Sequence, residues 1–431
     1  MGIVRAISAG YIEDHGLGEV PGRLEAHERE TLRGLAAQIA ELAASDAERA
    51  KADEWRRHNA LRRGRPMLVL TPEGVWNDID VGAARVHSPF YRHWEWYMRH
   101  LLYRAAHWDD DVVVTGCLEI PLLTSDTGWG AWPKFSQTAD SGSYTWEGCI
   151  KDHADLNKIT PPRFIYDREG SDRRMEAMYD AVGDILEIRP DCYRYEANLS
   201  TEAAFFLGLE QLYEDMCCRP ELVHSLMSII TGGVNGLLDE LESSGLLTPN
   251  NGGHYTDSGG FGWSNELPAA DYSGTTRLKD TWGAGLAQEF ACVSPDMHEE
   301  FVLQYQRRIL SRFGLVAYGC CEPLTHKFDI LDKIPRLRRV SISAWADAGI
   351  CAGRCAGKYL LSWKPNNTML IGGFDREAIR LYIRETLEKT AGCNVEIILK
   401  DVFNIEHRPE RLDIWAGIAR EEIARFCERT M

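Results

Sequence analysis

The chain has 431 residues, 44% hydrophobic and 26% charged, which excludes a disordered polymer, a collagen-like fibre and a coiled-coil rod. Its 48 basic residues against 65 acidic ones leave a net charge of −17, which would repel a phosphate polymer and argues against nucleic acid as a partner. Apolar runs such as Met67–Leu70 fall far short of the roughly 18 residues that cross a bilayer, so no membrane partner is expected.

The first residues, Met-Gly-Ile-Val-Arg-Ala-Ile-Ser, lack the apolar core of a signal or transit peptide, and a cytoplasmic location is expected. Residues 21–64 are rich in Ala, Leu, Glu and Arg at three- and four-residue apolar spacing and predict one or two surface helices. They close an N-terminal helical extension, residues 1–64, ahead of a larger unit spanning residues 65–431. Beyond Arg65-Pro66 the pattern changes to short apolar runs that end in polar or turn residues. The runs are 67–70, 112–117, 192–197, 277–282, 315–320, 338–343, 359–363 and 395–400. Helical stretches separate the later runs: 297–313 follows Ser294-Pro295-Asp296, and 375–389 opens on an Asp cap. Strands alternating with helices imply parallel pairing, and eight such units close a (β/α)8 TIM barrel of the α/β class. The intervals 119–191 and 248–276 are long and rich in Trp, Gly, Ser and Asp, and read as lid or binding-loop insertions.

Twelve cysteines in a chain without a secretion signal indicate thiols or metal ligands rather than bridges. Cys117, Cys149, Cys192, Cys292, Cys393 and Cys427 sit singly and read as small buried hydrophobes. Cys217-Cys218 and Cys320-Cys321 are adjacent pairs, and Cys351 and Cys355 share helical spacing. Closed structural zinc patterns are missing.

In such a barrel the working groups stand at the C-terminal strand ends. Those ends carry Glu73 and Trp76, Glu119, Asp280 and Trp282, Cys320-Cys321-Glu322, Trp345, Lys364, and Lys400-Asp401. The sharpest cluster is Tyr318-Gly-Cys320-Cys321-Glu322-Pro-Leu-Thr-His326, which offers thiolate, carboxylate and imidazole, the ligand types of catalytic zinc. Adjacent cysteines in a strand point to opposite faces, so only one of the pair would face the mouth unless the strand has ended. A lysine that finishes a buried strand needs a partner or loses its charge. Lys364 and Lys400 therefore read as carboxylate binders or bases, or as lysines paired with Asp401 or Glu396. Trp129 to Trp132, Trp146 and Phe261-Gly-Trp263 offer an aromatic wall, while His254 and His407 read as surface or satisfied histidines.

These segments resemble the uroporphyrinogen decarboxylase-like superfamily, and its large uncharacterised members most. The resemblance is carried by Arg65–Trp76, Val293–Tyr305, Cys320-Cys321-Glu322-Pro-Leu, Leu337–Asp347 and Val395–Asp401, and extends over about residues 30 to 428. It implies the (β/α)8 barrel, a homodimer, and one of two chemistries: cofactor-free decarboxylation, or methyl transfer to corrinoid or thiol acceptors with zinc on a His-x-Cys motif and a later Cys. Where that motif has His, this chain has Tyr318, with Cys320 as the second ligand and Asp401 near the late one. The Arg-rich segment that grips porphyrinogen propionates is missing near the first strand. The resemblance therefore implies a corrinoid-linked methyltransferase acting on a small-molecule substrate. Cys320, Cys321, Glu322 and His326 would hold Zn²⁺, Asp280, Lys364, Lys400 and Asp401 would act in catalysis, and Glu73, Trp76, Glu119, Trp282 and Trp345 would bind substrate. The alternatives are a cofactor-free lyase acting on a small carboxylate, and a non-catalytic partner of a corrinoid protein.

Overall fold

The computed structural model describes residues 21–137, 144–192, 196–256, 258 and 260–430. Its parallel strands are β1 (Met67–Leu70), β2 (Cys117–Pro121), β3 (Glu187–Asp191), β4 (Glu196–Ala197), β5 (Trp282–Gly285), β6 (Leu315–Tyr318), β7 (Leu337–Ile342), β8 (Leu360–Trp363) and β9 (Asn394–Leu399). Seven of them form one parallel sheet in the order β1-β9-β8-β7-β6-β5-β4, while β2 and β3 form a separate parallel pair. Every residue of β1, β6 and β8 is buried. That accounts for their unbroken apolar runs, since a parallel strand is covered on both faces. Two small antiparallel pairs, Thr124–Asp126 with Phe164–Tyr166 and Lys134–Gln137 with Tyr144–Glu147, occupy the first long interval.

The chain is thus a mixed α/β protein built on a seven-stranded parallel sheet. The eight-stranded ring expected from the strand count is not hydrogen-bonded shut among the described residues. On the free side of β1 the amides of Leu68 and Leu70 donate to the carboxylates of Asp111 and Asp110, at 2.7 and 3.2 Å. The Val114 amide likewise goes to Glu48, at 2.6 Å. With these backbone groups satisfied by side chains, the run at 112–117 does not pair with β1, and the strand begins only at Cys117. Of the expected run at 192–197, residues 193–195 lie outside the described part.

A second correction concerns the run at 277–282. Residues Leu278–Asp280 form a 3-10 turn, and β5 starts at Trp282, opposite Leu315, the first residue of β6. Asp280 and Trp282 therefore stand at the N-terminal end of the sheet, not at its mouth.

The first helices are α1 (Ala26–Ala43) and α2 (Asp46–Asn59). The stripe Leu32, Leu35, Ala36 and Ile39 of α1 is buried with Phe90, Trp94 and Met98 of α3 (Pro89–His107). Nor is α2 simply a surface helix: its last turn carries Trp55, His58 and Asn59 into the interior. Further along, Ser294 caps the amide of Met297, and Asp375 caps Glu377 and Ala378, as their residue types require.

Residues 254–256 pair with residues 260–262 as a hairpin, with Tyr255 bridged to Phe261 and the Gly262 amide donating to the His254 carbonyl at 2.8 Å. Its inner turn lies against Glu396 of β9 and Trp55 of α2. A Cβ on Gly260 would fall 2.6 Å from Trp55 and 2.7 Å from Glu396 Oε2, so only glycine lets the strand approach that closely. Instead, the Gly260 amide donates to Glu396 Oε2 at 2.8 Å. Glu396 also accepts from Arg339 of β7 (2.9 Å to Nε), and His58 lies 3.3 Å away. Arg339 donates in turn to Asn59 Oδ1 at 2.7 Å and to the Thr256 hydroxyl, and its guanidinium covers the Trp282 ring at 5.0 Å. Arg339 and Glu396 are both fully buried.

Candidate active site

The strand tips of β1, β6 and β9 and the tip of the hairpin bring their polar side chains together. Lys400 directly follows β9, and its ammonium lies 3.2 Å from Asp401 Oδ1, 3.9 Å from Glu73 Oε1, 3.4 Å from Ser258 Oγ and 3.9 Å from Cys320 Sγ. Ser258 Oγ is 2.6 Å from Cys320 Sγ, and the two thiol sulfurs are 3.4 Å apart. Cys321 Sγ completes the loop at 3.4 Å from Asp401 Oδ2. Strands β8 and β7 separate β9 from β6 in the sheet order, so the sheet must curl for these groups to meet.

Local backbone geometry explains why both thiols face the cluster. Gly319 takes φ of +100°, which ends the strand alternation before Cys320. A Cβ there would lie 2.5 Å from the Ser341 carbonyl oxygen, so glycine is required twice over. Glu73 and Asp401, which flank Lys400, also have positive φ, of 40° and 57°. For non-glycine residues this conformation costs energy and concentrates at functional sites.

The electrostatics follow from one buried ammonium among several acids. Burial disfavours the charged form of Lys400, but Cys320, Asp401, Glu73 and Cys321 outweigh it and hold the ammonium well above the usual lysine range. The Cys321 thiol is lowered, first by its hydrogen bond with Cys320 and against burial, with Lys400 adding its charge. Burial pushes Glu73 up to about 7, opposed by Lys400 and reinforced by Asp401.

A raised carboxyl means that the folded protein holds the proton more tightly than the unfolded chain does. The stability linked to Glu73 is present below its unfolded value, 4.5, and is lost as pH rises through about 7. Glu73→Gln, which stays neutral throughout, is therefore expected to unfold level with the parent near pH 4. It should be more stable at pH 8, by on the order of 3 kcal/mol. Denaturant unfolding at the two pH values reads this directly, and parallel pH dependence in both proteins would remove the assignment.

The remaining expected site residues divide in two. Lys364 is buried at the tip of β8, with Nζ 3.2 Å from Ser362 Oγ. Glu119 of β2 pairs with His254 at 2.6 Å, and Asp191 lies 3.8 Å from the same imidazole nitrogen. Trp345 is 76% exposed on the loop after β7. Trp76 packs edge-on against Trp96 and His100 and tilts against Trp108. Asp280 is spoken for at the far end of the sheet. Its carboxylate accepts from Arg277 Nε at 2.7 Å and the Ala269 amide at 3.0 Å. Burial resists its ionisation, but Arg277 and the two amides hold it below the usual range. The aromatic wall also splits: Phe261 packs edge-on against Trp55 beside the interior network, while Trp129 and Trp132 line a separate cleft with Phe205 and Phe206.

The expected zinc ligands do not gather. Glu322 spends one oxygen on the Ala287 amide at 3.1 Å and the other on the Cys320 amide at 2.9 Å, and His326 is exposed. Tyr318, at the position of the motif's His, sends its hydroxyl to Gln306 at 2.8 Å and His298 at 2.9 Å, so it supplies no ligand. Among the described residues, only His27, Glu28 and His87 bring three donors of this kind within 4.8 Å of one another. A closed or catalytic zinc needs at least three protein donors. Cys320 and Cys321 hold their sulfurs 3.4 Å apart beside the Lys400 ammonium, but among the described residues no third such donor lies within 4.8 Å of both, so these residues do not fit the metal.

Sequence reading does not single out Ser258 or Arg339, and offers Glu396 only as a partner for a lysine. Ser258 lies in a Gly-Ser-rich loop that carries no local sign of entering the sheet.

Fold and site together define an α/β protein with a thiol–lysine–carboxylate cluster at the C-terminal ends of parallel strands. No family model matches the chain, and no curated protein does. Among solved structures, the chain is similar to a methyltransferase from Methanosarcina mazei at 13% identity, covering 88% of this chain and 99% of that one with a TM-score of 0.49. No described helix is long and apolar enough to cross a membrane.

Proposed function

We propose that the chain is a methyltransferase that removes a methyl group from a small methylated cation, with the Cys320 thiolate as nucleophile. The observation that carries this reading is the Cys320–Cys321–Lys400–Asp401–Glu73 cluster. With Cys320 as the thiolate, the Lys400 ammonium 3.9 Å away stabilises it and the Ser258 hydroxyl 2.6 Å away would donate to it. Negative groups outnumber the single ammonium, which favours a positively charged substrate over a carboxylate. Lys400 is already surrounded by acids, so it is poorly placed to grip the carboxylate that the lyase alternative requires.

In the step proposed, the sulfur lone pair forms an S–CH3 bond while the bond from methyl to nitrogen or sulfur breaks. The electron pair leaves on that heteroatom, giving a neutral amine or thioether. An anion and a cation neutralise each other in this step, so a buried site that sheds water favours it. Glu73, with a value of about 7, is suited to exchange a proton with the departing product. The acceptor implied by the resemblance is a corrinoid on a partner protein, which would approach over the rim where Trp345 and Phe403 are exposed.

The test is a single turnover without acceptor, using methylated ammonium and sulfonium compounds, followed by peptide mass spectrometry. One methyl group on Cys320, absent in Cys320→Ser, is the expected result. An unmodified Cys320 with every such donor would overturn the reading.

A further inference from the structure

We propose that Cys320 and Cys321 form a reversible redox site, closing to a disulfide between adjacent residues under a hydroperoxide and reopening with a dithiol reductant. The inference concerns the same sulfurs as the methyl-transfer reading but does not depend on methyl transfer.

Three observations carry it. The sulfurs lie 3.4 Å apart on one side of the chain because Gly319 ends the strand before them. Cys321 is exposed and gives an oxidant access, while Cys320 is buried behind it. The Lys400 ammonium, 3.9 Å from Cys320 Sγ, supports the thiolate, which is the reactive form. The other cysteine pairs lack one or another of these features. Cys217 and Cys218 close the helix Leu209–Cys218, where consecutive side chains diverge by about 100°. Cys351 and Cys355 are buried, and burial raises both thiols, the first to about 11.

Bridging adjacent residues also fixes the character of the site. Their Cα atoms are about 3.8 Å apart, short of the roughly 4.4–6.8 Å of unstrained disulfides. A strained bridge is more easily reduced, which suits a labile bond rather than a structural one.

The chemistry balances with hydrogen peroxide as oxidant. The Cys321 sulfur attacks one peroxide oxygen, the O–O bond breaks, and hydroxide departs with the thiol proton as water. Cys320 then attacks the Cys321 sulfur, the S–O bond breaks, and a second water leaves. Two thiols and one peroxide become one disulfide and two waters. Closure removes both thiolates from Lys400 and blocks any reaction that needs them.

The test uses the full chain, treated with hydrogen peroxide, quenched with iodoacetamide and read by peptide mass spectrometry. The Cys320-Cys321 peptide is expected to be two hydrogens lighter and unalkylated, and to recover both alkylation sites after dithiothreitol. The Cys217-Cys218 peptide of the same sample should carry no internal bridge. Full alkylation of Cys320 and Cys321 after peroxide, or a bridge from either to a distant cysteine, would overturn the proposal. The readout needs no activity, so a protein that moves no methyl group still answers it.

Discussion

Replacing Lys400 with methionine is expected to slow single-turnover methylation of Cys320 by about 10²–10³-fold, the usual cost of removing one preorganised electrostatic partner. The Lys400 side chain is only 8% exposed, and its ammonium lies among Cys320, Asp401, Glu73 and Ser258, so no solvent cation replaces it easily. Without it, the Cys321 thiol loses the positive charge that helps to lower it and ionises at higher pH. The ultraviolet absorbance of the thiolate during a pH titration should shift upward in Lys400→Met, a change that simple loss of packing would not produce. Lys400→Arg keeps the charge and should restore part of the rate. A methionine variant as fast as the parent, with the same thiolate titration, would remove Lys400 from the mechanism.

The largest expected effect on stability lies away from the thiols, at Arg339 and Glu396. Both are fully buried, and Glu396 is ionised because Arg339 and His58 outweigh the cost of burial and hold it below the usual carboxylate range. Breaking such a pair by removing one partner leaves an uncompensated charge in the interior and costs about 3–5 kcal/mol. Arg339→Met is therefore expected to lose that much in denaturant unfolding. Arg339→Met with Glu396→Met removes both charges and should recover a large part of the loss. If the double variant is no better than the single, the penalty comes from the Thr256 and Asn59 contacts instead. A folded-state value below the unfolded one also means that Glu396 contributes stability in full above its unfolded value, 4.5, lost as the pH falls further. The pair matters to the site because it anchors the hairpin whose tip carries Ser258.

Two of the sequence expectations fail for reasons that local pattern cannot show. The run at 112–117 has the composition of a strand, yet Asp110, Asp111 and Glu48 satisfy the amides that a strand pairing would have used. Asp280 follows an apolar stretch, but that stretch precedes β5 rather than forming it, so the carboxylate ends at the opposite end of the sheet. A shift of a few residues decides which end a group occupies, and element boundaries are where periodicity carries least information.

By itself, the amino-acid sequence determined the parallel α/β class, because apolar runs covered on both faces alternate with capped amphipathic helices. It also singled out Cys320, Cys321, Lys400 and Asp401, since polar groups at the ends of buried strands have few places to go but the mouth. Only the tertiary structure decided which of these groups meet. The curl of the sheet brings β9 across to β6, the positive φ of Gly319 turns both sulfurs to one side, and a hairpin brings Ser258 against Cys320 and Lys400. Glu322 is claimed by two backbone amides, and Tyr318 by Gln306 and His298. Distances between residues eighty positions apart depend on how the whole interior packs, and no local spacing encodes them.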